Sequence, residues 1–338
     1  MATPIGANTL TSIARHYIMP QITDNIYNSN VLLYRLMKAN KKMVQGGTQI
    51  EVPLMFQRFN TGGAYKGYDV LNTTPSDTVK NAAFDWKQHY VTWAIDGLTL
   101  LKADSPEAVA NIISLQGQQA YMEMAENLAN GLFRNPNGTG VQLSSSNDID
   151  GLSAAVGNAS VGDANYGGIA RSSNTWWNSQ IDSATTSIAA MSSYQTMFGN
   201  CTVGGQSPTI IVSRQDQYNK YIALNAQSSS AGYAVQYTRQ PAGHDEMLAN
   251  AGFTNALYNN TPWVVDSHVT DAGNTTTGRI YFLNENVLSW VVSPRADFYL
   301  EDFQRPVNQD AFVATLLWAG NLVSMSSRLH GVFTGLTS

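Results

Sequence analysis

Five histidines, one cysteine and a few carboxylate pairs are the side chains of this 338-residue chain with the types that acid–base, nucleophilic or metal chemistry uses. A helical metal site needs two histidines four residues apart, as in H-E-x-x-H. His16, His89, His244, His268 and His330 include no such pair. His244-Asp245-Glu246 sets an imidazole beside two acids, but it follows Pro241 and Gly243 and fits a polar turn. Asp266 and His268 stand two residues apart, on one face if the segment is a strand, a spacing that suits a structural hydrogen bond. Cys201 follows Gly199-Asn200 and fits a small, partly buried side chain better than a nucleophile. Asp148/Asp150 and Glu301/Asp302 pair oxygens without the spacing of a calcium loop. The glycines and lysine of GGAYKGYD, residues 62–69, are in the wrong order for a phosphate loop, and neither G-x-G-x-x-G after a strand nor G-x-S-x-G occurs. With no nucleophile, base and electrophile placed together, the expectation is a non-enzymatic chain with no catalytic residue, no cofactor and no metal.

The composition points the same way. Hydrophobic residues make up 43%, enough for a core, while charged residues make up only 13%, against a usual ~25%. The mean hydropathy is nonetheless slightly negative, because Asn, Gln, Ser and Thr replace the charges. Such a surface suits a protein mostly covered by neighbours. A single cysteine excludes a disulfide scaffold. The longest apolar run, residues 312–323, contains Gly320 and Asn321 and is too short to cross a ~30 Å hydrocarbon core, so no membrane partner is expected. The net charge of −5 is unevenly placed: residues 1–102 carry +4 and residues 103–338 carry −9, with seven of the eight lysines in the first part. A basic front on an acidic body suits nucleic acid at the front, or the front of one copy lying on the body of another. The aromatic-rich second half of the chain is acidic, which disfavours sequence-specific nucleic-acid recognition.

The elements that must position these residues follow from periodicity. Residues 9–39 form amphipathic helical pieces interrupted at Pro20 and without a partner of their own, followed by a basic stretch ending at Gly46-Gly47. Ile50, Val52, Leu54 and Phe56 alternate with polar residues, marking a strand in which Pro53 demands an edge. Residues 84–95 are a second strand, and the stretch between is too long for a tight hairpin. The expected result is a two-stranded ribbon with an extended tip, whose Tyr65, Lys66, Tyr68 and Lys80 are the candidate contacts with another surface. Asp104 or Ser105 caps a long helix that starts at Pro106 and runs to residue 134, with Val109, Ile113, Ala120, Met124, Leu128 and Leu132 on one face. Further on, helices are expected at 176–199 and 214–227, and strands at 209–213, 262–269 and 279–293. An antiparallel pair is expected over 311–333, turning near Gly320-Asn321. The class is α+β without βαβ alternation.

This order of elements resembles the major capsid protein of tailed double-stranded DNA bacteriophages, the Hong Kong 97-type fold. The similarity lies in Gly46-Gly47 with the alternating strand, GGAYKGYDVL, the long capped helix, SPTIIVSRQDQYNKYIAL, and the closing RPVNQDAFVATLLWAGNLVSMSSRLHGVF. The resemblance implies an N-terminal arm at 1–45 and an extended loop (E-loop) at 46–97. It implies a peripheral domain with a spine helix at 98–180 and 285–338, and an axial domain at 181–284. It implies that the chain self-assembles as hexamers and pentamers into an icosahedral shell around the phage genome, in a virion assembled in the host cytoplasm. Implied partners are further copies of itself, a portal, a decoration protein and, by non-specific contact, packaged double-stranded DNA. Only 45 residues precede the loop, so a separate scaffolding protein is expected rather than a fused one. Some members of the family join a loop lysine to an asparagine covalently. Lys66 and Lys80 lie in the matching region, but the sequence identifies neither a partner asparagine nor a catalytic acid. The alternatives are an encapsulin-like compartment shell, which shares the fold, and another virion structural protein.

Overall fold

The computed structural model describes residues 30–59, 61–102, 106–134, 147–183, 188, 190–228, 256–269 and 277–337. The helical pieces expected before residue 30, the cap at Asp104 or Ser105, and His244-Asp245-Glu246 lie outside the described residues.

The chain starts with α1 (Val31–Ala39), β1 (Lys41–Met43), β2 (Gln49–Met55), β3 (Val79–Asp85), β4 (Lys87–Asp96) and α2 (Gly97–Lys102). It continues through the long α3 (Pro106–Phe133), β5 (Gln180–Asp182), α4 (Met191–Cys201), β6 (Ile210–Ser213) and α5 (Gln215–Ser228). It ends with β7 (Ala256–Tyr258), β8 (Thr261–Val265), β9 (Thr277–Leu283), β10 (Leu288–Val292), β11 (Tyr299–Leu300), β12 (Ala311–Ser324) and β13 (Gly331–Thr337). One sheet has the order β1-β10-β12-β11, with β4 also paired to β12; a second has the order β5-β13-β9-β6-β8-β7; β2 and β3 form the third.

The 28 residues of α3 span ~42 Å at 1.5 Å per residue. Its Val109, Ile113, Met124, Leu128 and Leu132 are buried in the main core against Trp290, Trp318 and Leu322 of the first sheet and Val212 and Tyr281 of the second. One helix thus packs on both large sheets. The second sheet carries a separate core on its other side, where Tyr194 and Phe198 of α4 meet Tyr258, Trp263, Phe282 and Phe333. The β7–β8 hairpin turns on Asn259 and Asn260, both at positive φ, the conformation a two-residue turn requires and asparagine tolerates.

Four expectations are corrected. The segment at 30–44 has a partner in its own chain: Val31, Leu32, Leu33 and Leu36 are core residues, and β1 pairs in parallel with β10. The ribbon's second strand is β3, which starts five residues before the expected 84–95; the strand is interrupted at Trp86 and β4 then pairs with β12 over Lys87–Asp96. Among the described residues of the predicted helix 176–199, helix covers 191–199 and continues to Cys201; its start is lost because Trp177 is fully buried with its Nε1–H donating to the Tyr166 carbonyl at 3.0 Å, which holds 175–177 as a single 3-10 turn. Finally, β12 runs straight through Gly320-Asn321, and the chain instead turns at 325–330 before β13 joins the other sheet. Gly320 is there because any Cβ would collide with the Val291 carbonyl oxygen and the Trp318 indole. Asn321 is there because its side chain is fully used: it accepts from the Asp150 and Leu322 amides and donates to Asp150 Oδ2 and the Asp85 carbonyl.

Candidate functional site

The feature that leaves the body of the molecule is the ribbon. β2 and β3 pair antiparallel from Gln49 opposite Asp85 to Met55 opposite Val79, and Phe56 and Gln57 extend the zipper to Thr78 and Asp77. Among the described residues β2 has no second neighbour, which accommodates Pro53. Alternation gives the ribbon two faces. Ile50, Leu54, Ala82 and Phe84 point inward and are buried, while Met55 and Val79 are exposed. The predicted free ribbon is therefore half docked on its own chain.

The surface beneath it is the loop 163–178. Tyr166 packs its ring edge on Phe84 at 5.0 Å, Trp176 stacks on Phe56 at 5.3 Å and 24°, and Trp177 stacks on Tyr166. Gly167 sits at φ 63°, and a Cβ there would lie 2.9 Å from Phe84 Cζ, so the ribbon's approach requires glycine. The loop is itself fixed by Arg171, whose buried guanidinium donates to the carbonyls of Ala154, Ala155 and Asp163. Burial lowers its pKa to about 10, still far above neutrality, so it stays charged.

Of the four predicted contact residues, three are at the tip and one is not. A turn closed by Asp69 N–H to the Lys66 carbonyl, with Gly67 at φ 56°, exposes Tyr65, Lys66 and Tyr68. Lys80 instead reaches back to its own body. Its Nζ donates to Asn174 Oδ1 at 2.7 Å and lies over the Phe56 ring. Seven of the fifteen large exposed hydrophobic side chains among the described residues lie between Met55 and Val79, with Tyr68 and Val70 almost entirely in solvent.

The charge pattern changes meaning in three dimensions. Residues 49–85 hold three basic and four acidic side chains, so the ribbon is close to neutral. The excess positive charge sits on 35–42, and half of it is paired inside the chain. Arg35 makes a bidentate pair with the buried Glu285 at 2.5 and 2.6 Å, and Lys41 pairs with Asp297.

The residues singled out for chemistry fall into structural roles. Cys201 is buried, and desolvation pushes its thiol up to about 12. His268 does bond Asp266, Nδ1 to Oδ1 at 2.8 Å, and also meets Glu126 of α3 through Nε2 at 2.9 Å, a contact 142 residues away in sequence. Those carboxylates raise its pKa to about 9, so it is an imidazolium joining α3 to the end of β8. Asp148 and Asp150 separate: the first meets His89 and Arg134, the second Asn321. His330 is fully buried at the corner where the two large sheets meet, accepting the Asn284 N–H and contacting Ser324 Oγ. Among the described residues, no three His, Cys, Asp or Glu side chains converge. The platform residues Tyr166, Gly167, Asn174 and Trp176, and the pinning residue Asn321, were not identified from sequence. Their partners are 80 to 240 residues away, and no local period marks them.

No protein-family model matches the sequence, and no curated protein matches it. Solved structures do match. A capsid asymmetric unit of cyanophage A-1(L) aligns with a TM-score of 0.63 at 15% identity, over 92% of this chain and 94% of that one. The capsid of Myoviridae phage XM1 aligns at 0.52 and 12% identity, over 89% and 92%. The holo-SrpI encapsulin complex from Synechococcus elongatus aligns at 0.55 and 8% identity, over 89% and 87%. The fold is that of phage capsid proteins, the α+β fold that the order of elements implied.

Proposed function

We propose that this chain is a major capsid protein, whose copies assemble as hexamers and pentamers into an icosahedral shell around a phage double-stranded DNA genome. The observation that carries the reading is the near-neutral apolar ribbon tip, left uncovered by the described residues of its own chain, on a fold shared over nine-tenths of the chain with shell proteins. Fully burying a residue such as Val70 or Leu71 is worth ~1.5–3 kcal/mol. A tip seated on a neighbouring copy therefore contributes several kcal/mol per contact. Many such contacts around a closed ring make a persistent shell from individually weak interfaces.

On this reading residues 1–45 are the arm segment, whose 30–44 part docks on its own body, and the extended loop is 46–86, since β4 belongs to the body sheet; 87–180 with 285–338 form the peripheral part around α3, and 181–284 the axial part. The role is structural and non-enzymatic. A separate scaffolding protein, a portal and a decoration protein are the partners, and packaged DNA is touched without sequence preference. The protein resides in the virion after assembly in the host cytoplasm. No described helix is long and apolar enough to cross a membrane. The second reading, a compartment shell enclosing proteins, is supported by the encapsulin match.

Electron microscopy of the expressed chain, alone and with its neighbouring genes, tests the proposal. Shells or capsomers are expected, with nuclease-protected DNA in particles from infected cells. Particles filled with protein cargo and no nucleic acid transfer the assignment to the compartment reading. A folded monomer under every condition refutes both. The variant Tyr65→Ser/Tyr68→Ser is expected to fold with stability within ~0.5 kcal/mol of the parent, since both side chains are exposed, yet to lose assembly.

A further inference from the structure

The ribbon joins the body through two strands, and each is interrupted at its base. On one, Gly46 and Gly47 sit at φ 75° and 94°. On the other, the single residue Trp86 separates β3 from β4. The two are tied at that level by Trp86 Nε1–H to the Gly47 carbonyl at 3.1 Å, and Asn321 holds the Asp85 carbonyl from below at 2.9 Å. This level is the ribbon's pivot, the place at which these two bonds attach it to the body. Beyond the pivot, the angle is set by the contacts of the ribbon with loop 163–178.

Those contacts differ in kind with distance from the pivot. Near it, Phe84 rests on Tyr166 and Gly167, deep in the core. At the far edge are the Phe56–Trp176 stack and the bond from Lys80 to Asn174. Both outer contacts are only half-buried, and both join residues of the ribbon to two neighbouring positions of one short loop. Asn174 is oriented for the task, since its Nδ2 donates to the Ala170 carbonyl at 2.8 Å and leaves Oδ1 facing the lysine. The loop is rigid because Arg171 gathers three carbonyls under it.

We infer that Asn174 and Trp176 form a latch which holds the ribbon at one angle on its own body, so that the apolar tip is presented in a single direction before it meets a second copy. The inference rests on the self-assembly reading for what the tip then meets, but the latch itself exists in the isolated chain. Lys80 is thus a positioning residue for the ribbon and not part of the contact with a neighbour. Opening costs few contacts, so the latch can release when a better partner arrives. A two-stranded ribbon released from its platform has too little apolar contact to keep its own ladder.

Hydrogen exchange on the unassembled full-length chain reads the latch directly, and microscopy of assembled particles reads its consequence. The variants are Asn174→Ala/Trp176→Ala and, at a half-buried site outside the core, Lys80→Met. Amides of β2 and β3 are expected to exchange about tenfold faster in the double variant and about threefold faster in Lys80→Met, with β6 and β9 unchanged. Particles of the double variant are expected to lose uniform diameter. Ribbon exchange within twofold of the parent in both variants overturns the latch. Faster exchange with particles as uniform as the parent's overturns its role in setting direction. If the parent chain forms no particles, the assembly reading fails, while the exchange result still decides whether the latch holds the ribbon.

Discussion

Acid should weaken this protein through His330. Its ring is fully buried between the two large sheets, with Nδ1 accepting from the Asn284 amide and Nε2 at 3.3 Å from Ser324 Oγ. That arrangement needs the neutral ring. Burial, with the Arg171 charge nearby, lowers its pKa from 6.5 to about 3. The unfolded chain therefore binds a proton near pH 6.5 that the folded chain refuses, and stability falls as the pH drops below 6.5 and levels off only near 3. At ~1.4 kcal/mol per pH unit, the loss is about 2 kcal/mol at pH 5 and about 3 kcal/mol at pH 4. His330→Asn replaces Nδ1 with an oxygen that can accept the same amide, at a fixed cost of about 1–3 kcal/mol for lost packing. Urea denaturation of unassembled chains between pH 7 and 4.5 is the assay. The parent should lead clearly at pH 7, and the two curves should converge as the pH falls. Parallel curves across that range would refute the reasoning, because they would mean that the buried ring takes up its proton without cost.

His268 acts in the opposite window. Its pKa is raised to about 9 by Asp266 and Glu126, so its contribution is fully present below 6.5 and is lost as the pH rises through 9. With half-exposed Glu126 discounted for solvent, about 2 kcal/mol is at stake. The parent's melting temperature should fall between pH 7 and 9.5, and that of His268→Gln should stay flat. Asn321→Leu leaves the half-buried Asp150 carboxylate and the Asp85 carbonyl without this donor and should cost about 2–3 kcal/mol in urea. Asn321→Asp adds a second carboxylate beside Asp150, so it should be worse at neutral pH and partly recover on acidification; a variant insensitive to pH contradicts the described contact.

Local pattern alone determined a good part of this molecule. The 3.6-residue period of Val109, Ile113, Met124 and Leu128 places α3, because a helix that buries one stripe repeats it regardless of what covers it. The alternation of Ile50, Val52 and Leu54 places β2 for the same reason at period two, and the order of such elements was enough to identify the fold. What tertiary structure decided are the features made by two distant segments at once. Gly320-Asn321 carries the composition of a turn, yet lies mid-strand, because the Val291 carbonyl and Trp318 leave no room for a Cβ and two distant aspartates use the amide. Trp176 and Trp177 carry helical composition, yet form a platform, because one indole belongs to the core and the other to the ribbon. Lys80 carries the marks of a contact with a neighbour, yet spends its charge on Asn174. A short-range period records which face of an element is buried. Which residue lies across from it depends on chain reversals hundreds of residues long, and no window of the sequence contains both partners.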